Sequence, residues 1–278
     1  MMTLLRIELF KIFSKWRSYI GFIAIGVLVP VIQIDLMLRG QQYLDFLTQN
    51  LQQNFVFVGN FLNGYLIGNL VLNALLLQIP FLITLVAGDL LAGEATAGTY
   101  RMLLTRPVSR TKVIVSKFLA GIIYTNIILL WLALISLGLS IIIFGTGELI
   151  VISETITIFA KDDIVWRFML AYGYAALSMS VVTALGFMFS SLVENAIGPI
   201  VATLAIIIVF LILQSINLEF FAFIRPYLFT AYLHKWRIFF TEPVDYSELG
   251  TAISVMLGHI AAFFLITLYI FKKKDIQS

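Results

Sequence analysis

No cysteine occurs in the 278 residues, and the only histidines are His234 and His259. Disulfides and thiolate metal sites are therefore excluded, and a histidine metal centre would need carboxylate help. Charge is scarce too. Asp, Glu, Lys and Arg make up 12% of the chain against 61% hydrophobic residues, and the mean hydropathy of +1.01 lies well outside soluble averages. A water-soluble fold of this length has no place to hide that much apolar surface. Recognisable catalytic and nucleotide-binding motifs are missing as well. There is no G-x-x-x-x-G-K-[ST] phosphate loop, no H-E-x-x-H, no G-x-S-x-G and no pair of in-membrane carboxylates placed for acid–base work. The chain is read as a non-enzyme that binds no cofactor or metal itself, and no nucleic-acid partner is expected. No small-residue cleavage site follows the first hydrophobic run, so no removable signal peptide is read.

What is present is a series of hydrophobic runs. Crossing about 30 Å of hydrocarbon takes roughly 20 helical residues at about 1.5 Å each. Six runs qualify, over about 18–38, 61–87, 118–144, 168–192, 196–215 and 250–271. The fold class is an all-α membrane protein forming a single transmembrane domain over 1–278. Apolar character in the second run continues from Phe55 to Ala92, which reads as one tilted helix bent at Pro80 and projecting past the bilayer.

Lysine and arginine set the orientation. With the N-terminus inside, twelve of the eighteen basic residues face the cytoplasm, which places both termini inside by the positive-inside rule. Residues 1–17 have amphipathic helical spacing, with Leu5, Leu9, Ile12, Phe13 and Trp16 on one side, as in a helix lying flat in the inner headgroup layer. Asp35, four residues before Arg39, reads as a paired, snorkelling carboxylate.

Amides punctuate the second run: Asn60, Asn63, Asn69, Asn73 and Gln78. In hydrocarbon they need partners. Either they glue helices together, with Gly64 and Gly68 giving a small-xxx-small surface for close approach, or Asn63, Asn69, Asn73 and Gln78 line a substrate path. Among the outer connections, residues 39–60 are amide-rich with Leu44, Leu47 and Leu51 at helical spacing, while 145–167 are polar and mixed in charge. Residues 217–249 carry ten aromatics but are divided by Pro226, Arg225, Lys235 and Arg237, which suits short helices dipping into or lying on the outer leaflet. No internal repeat is visible, so a paired architecture requires a second subunit.

The stretch from Gly88 to Gly121 packs charge, glycine and proline between two apolar runs. Arg101, Arg106, Arg110, Lys112 and Lys117 fall here, and Glu94 with Gly98-Thr99 opens a segment that reads as a short helix before Arg106-Pro107 breaks it. An acidic residue, then Gly-Thr, then Pro-x-Ser-Arg, then a later Lys resembles the cytoplasmic coupling segment of ABC-2-type transporter permeases. Those elements are Glu94, Gly98-Thr99, Pro107-Val108-Ser109-Arg110 and Lys117. Residue-level matching is confined to about Asp89–Lys117, although span count and order agree along nearly the whole chain.

The resemblance implies a permease subunit of an ABC exporter in a prokaryotic inner membrane, with residues 93–117 as the ATPase-coupling segment. It implies a separate ABC ATPase partner, which would bind ATP and Mg, and a second permease copy or paralogue. It also implies an N-terminal helix beside the coupling segment and re-entrant helices in 217–249. An ABC-2-fold scaffold that converts ATPase strokes into assembly or mechanical work is the alternative.

Overall fold

Long uncharged apolar runs become helices in lipid because only a helix satisfies every backbone N–H and C=O within one segment. The computed structural model describes residues 1–49, 61–98, 109–152, 156–216 and 223–273, and among these are six helices long and apolar enough to cross a membrane. In chain order the described helices begin with α1 (Met2–Phe13), α2 (Arg17–Thr48), α3 (Gly64–Leu75), α4 (Ile79–Ala87) and α5 (Asp89–Thr96). A long third span follows, made of α6 (Arg110–Ala133), one π turn (Leu134–Gly138) and α7 (Leu139–Phe144). Strands β1 (Leu149–Ile152) and β2 (Ile156–Phe159) precede α8 (Val165–Leu192) and α9 (Ile197–Ser215). Three 3-10 turns (Arg225–Tyr227, Phe229–Tyr232, Lys235–Phe240) then lead into α10 (Tyr246–Lys273).

Three expectations change. The first span, α2, continues through Thr48, so residues 39–48 of the outer connection expected over 39–60 are helical, with Leu44 buried. The second run is not one bent helix but α3, α4 and α5, of which Ile79–Thr96 is long and apolar enough for a crossing. Pro80 causes the first break, because it has no N–H for the Leu76 carbonyl and its ring clashes there. The chain tightens instead, with Gln78 N–H donating to Leu75 O at 2.8 Å. Leu76 and Gln78 keep right-handed helical angles, so the path bends without reversing. Finally, the connection expected to be merely polar holds an antiparallel hairpin pairing Leu149 with Phe159 and Ile152 with Ile156.

Helix α8 is the centre of the bundle. Its most apolar window is 72% buried against 17% for α9 and 11% for α10, which leaves those two helices to face outward. The third span meets α2 through parallel hydrogen bonds along both helices. Tyr124 OH donates to Ser18 O at 2.8 Å, Trp131 Nε1 to Phe22 O at 3.1 Å, and Gln33 Nε2 to Ile135 O at 2.9 Å. The last of these satisfies a carbonyl inside the π turn, where the i to i+4 ladder is interrupted. Close packing by small residues occurs where the sequence suggests it. A Cβ at Gly64 would lie 2.6 Å from the Ile141 backbone, and one at Gly68 would lie 3.0 Å from a Leu137 methyl.

One end of the bundle gathers α1, α5, the start of α6 and the end of α10, where Arg110 Nη1 donates to Lys272 O at 3.3 Å. At the opposite end, Arg167 draws three elements together. Its Nη2 meets Asp163 Oδ2 at 2.7 Å and Glu242 Oε2 at 2.6 Å, and its Nη1 donates to Phe239 O at 2.9 Å. Its guanidinium lies 4.2 Å from the centre of the Phe159 ring. This cation ties the hairpin, α8 and the aromatic 3-10 segment into one unit, which supplies the fixed partners that a segment without regular helix lacks. Trp236, Phe229, Phe239 and Phe240 of that segment are buried.

Candidate functional site

Residue by residue, the segment singled out in the sequence begins inside α5. Asp89 opens this helix, where a carboxylate is favoured by the unpaired N–H groups and the dipole. The break at Gly88 is repaired from outside. Ser190 of α8 donates its hydroxyl to Gly88 O at 2.7 Å and accepts from Leu91 N at 3.0 Å and Ala92 N at 2.8 Å, acting as a cap supplied by another helix. Gly88 also lets α9 approach closely, since a Cβ there would lie 2.8 Å from Ile200 Cγ1 and 3.0 Å from its backbone nitrogen. Gly98 ends α5 with φ of +65°, a left-handed conformation that glycine adopts without strain.

Glu94 therefore belongs to the last turn of α5, ahead of Gly98, and does not start the helix expected after it. Its carboxylate points to the other end of the segment. Lys117, on α6 and only 1% exposed, places Nζ 3.0 Å from Glu94 Oε1 and 2.6 Å from Glu8 Oε2. Lys11 completes the group, with Nζ 2.7 Å from Glu94 Oε1 and 3.3 Å from Glu8 Oε1. Two acids and two bases thus alternate across α1, α5 and α6. A second knot lies beside it, where Asp89 accepts Lys15 Nζ at 2.6 Å and Arg17 Nη1 at 2.8 Å. A lone buried charge costs several kcal/mol, so the alternation of sign is what allows Glu8, Glu94 and Lys117 to be buried together. For Lys11, burial alone would lower the pKa, but the hydrogen bond to Glu94 and the charges of Glu8 and Glu94 outweigh it and hold it above its ordinary value.

This arrangement changes the reading of the N-terminal helix. Leu5, Leu9 and Phe13 pack against the protein core and Ile12 is buried, so the apolar side faces α6 and α2, while Trp16 is 73% exposed. Glu8 was not singled out by the sequence reading, although it lies between Leu5, Leu9 and Ile12 on the apolar side. An acid in that place demands a buried cation, which is the signal that would have found it.

The remaining site residues separate clearly. Ser109 caps α6, its hydroxyl accepting from Lys112 N at 3.4 Å, so the Ser-Arg of the motif marks a helix start. Thr99, Arg101, Arg106 and Pro107 lie outside the described residues. Of the amides, Asn63 caps α3, accepting from Tyr65 N and Leu66 N and donating to Glu148 O at 2.7 Å, so its polar groups are engaged in the fold. Asn73 Nδ2 donates to Asn69 Oδ1 at 3.0 Å and to Asn69 O at 2.9 Å, a pair within one helix, while Gln78 is exposed at the bend before Pro80. Asn69 is buried and Asn73 half-buried. The amide stripe is therefore split among a cap, a pair and an exposed side chain.

A family model described as ABC-2 family transporter protein matches residues 2–276. The chain is also similar to the uncharacterized protein YhcI of Bacillus subtilis (strain 168), at 27% identity over 207 residues, which cover 70% of this chain and 63% of that protein.

Proposed function

The chain belongs to the ABC-2 family of transporter proteins, and on that premise we propose that it is the permease of an ABC exporter, driven by a separate ATPase subunit. Both termini and residues 93–117 face the cytoplasm, two permease copies enclose the path, and the ATPase binds ATP and Mg. The segment from Glu94 to Lys117 docks on the ATPase through Thr99, Arg101, Arg106, Pro107 and their neighbours, where interface charges set register and orientation. Asn69 and Asn73, as the hydrogen-bonded pair of the second run, are the amides assigned to the path in this reading.

The observation that carries this reading is the buried pairing of Glu94 with Lys117. The two ends of the segment are 23 positions apart, yet their side chains meet at 3.0 Å and share partners on α1. A displacement of the segment by its partner must then move α1, α5 and α6 together, because separating them strands a buried charge. In proteoliposomes with the partner ATPase, Glu94→Ala is expected to leave insertion intact and to uncouple ATP hydrolysis from transport. Unchanged coupling would count against the proposal.

A further inference from the structure

A cavity of about 540 Å³ lies between α1 and α5, beside the ion pairs. Its size falls within the roughly 300–1,000 Å³ of small-molecule sites. The walls are largely apolar, with Leu4, Ile7, Phe10, Val86, Leu90 and Val113 among the lining residues. Its charges are sorted by depth. The side chains of Glu8, Asp89 and Glu94 are 7%, 6% and 10% exposed, whereas those of Lys11, Lys15 and Arg17 are 37%, 45% and 42% exposed. Glu8, Asp89, Glu94 and the fully buried Lys117 lie inward while Lys11, Lys15 and Arg17 form the rim, so the mouth presents positive charge and the charged groups inside are paired among largely apolar walls.

The rim is not used up by the ion pairs. Lys15 and Arg17 each make one bond to Asp89, and an ammonium carries three donors and a guanidinium five, so both retain N–H groups directed elsewhere. Exposed apolar side chains flank the rim bases along the chain: Ile7 and Phe10 precede Lys11 on α1, and Tyr19, Ile20 and Ile23 follow Arg17 on α2. An occupant must therefore be amphiphilic, with an anionic head and a hydrocarbon tail, and must arrive along a lipid-facing surface.

We infer that this cavity binds an anionic phospholipid, with an acyl chain between α1 and α5 and the phosphate held by Lys15 and Arg17. Juxtamembrane basic side chains attract anionic headgroups, and the apolar walls replace the contacts that an acyl chain has in the bilayer. The inner leaflet as the source of the lipid rests on the orientation proposed above, whereas the binding chemistry does not.

Native mass spectrometry of the full chain, loaded with phosphatidylglycerol or with phosphatidylcholine of the same acyl chains, tests the inference. Phosphatidylglycerol is expected to be retained about thirtyfold more strongly, as two basic contacts to an anionic head imply. Lys15→Gln with Arg17→Gln should abolish the preference. Because that pair also leaves Asp89 without cations, Ala97→Trp provides a second variant. Ala97 is an exposed lining residue, and the larger side chain fills the mouth without altering any charge, so it should reduce retention by a similar factor. Equal retention of the two lipids, a preference that survives Ala97→Trp, or displacement of phosphatidylglycerol by millimolar inorganic phosphate would each overturn it. Association with the ATPase, measured on the same preparations, reports on the functional proposal separately.

Discussion

Lys117 Nζ lies 2.6 Å from Glu8 Oε2, a contact between residues 109 positions apart that joins the N-terminal helix to the base of the third span. The Lys117 side chain is 1% exposed and that of Glu8 7%, so both charges sit almost wholly out of water. Around this contact Glu94 and Lys11 close the alternating group, and Asp89 with Lys15 and Arg17 fixes the adjoining turn. The end of the bundle that carries the coupling segment is thus held by charge placed in apolar surroundings, where screening by salt is weak.

Lys117→Met should be among the most damaging single substitutions at this end. It removes the buried cation that Glu8 and Glu94 share, and breaking a buried pair costs about 3–5 kcal/mol. Glu8→Gln combined with Lys117→Met should cost less than the sum of the two single changes. Thermal unfolding of the four proteins in one detergent measures this coupling, and strict additivity would show that the contact carries no energy of its own.

Gly64 and Gly258 should respond oppositely to alanine. At Gly64 the added Cβ would lie 2.6 Å from the Ile141 backbone, which has no room to yield without parting α3 from the third span, whereas nothing lies within 4 Å at Gly258. Gly64→Ala should lower the melting temperature. Gly258→Ala should leave it unchanged or raise it, since alanine favours the helix over glycine by up to about 1 kcal/mol. The same fluorescence-detected melting assay reads both.

At the opposite end, acid should loosen the unit around Arg167. Hydrogen bonds from Trp166 and from Arg167, together with the Arg167 charge, hold the Asp163 carboxyl below its usual range against a burial effect that raises it. A depressed folded-state pKa contributes stability above the unfolded value of about 3.9 and loses it as pH falls through the folded value. Asp163 is partly exposed, so the effect is small. Melting temperature measured from pH 5 down to pH 3 should fall less steeply in Asp163→Asn than in the unaltered protein, and parallel slopes would remove Asp163 from the account.

Hydropathy made the six crossings legible because twenty uncharged apolar residues have few alternatives in lipid. The breaks within the second run were only partly so: Pro80 marks a bend, but the separation of α4 from α5 depends on Ser190 approaching Gly88 from another helix. The hairpin is locally visible in the β-branched series Ile150-Val151-Ile152 and Thr155-Ile156-Thr157-Ile158, which the surrounding charges mask as a plain loop. Arg167 carried no local signal. Its partners at Phe239 and Glu242 are more than seventy residues away, and only the fold brings them together. At the candidate site, Glu94, Ser109 and Lys117 were singled out from the motif, and the structure gives them local work as buried pair and helix cap. Glu8 and Lys11, which complete the pair, follow from geometry.

The central claim is that the segment between Glu94 and Lys117 is the surface on which an ATPase acts. A photo-cross-linking amino acid at Arg101, in cells that co-express the partner ATPase, tests it most directly, with the same amino acid at Arg39 as the outer control. An adduct between the two subunits is expected from position 101 and none from position 39. No adduct from position 101, or equal yields from both, would contradict it.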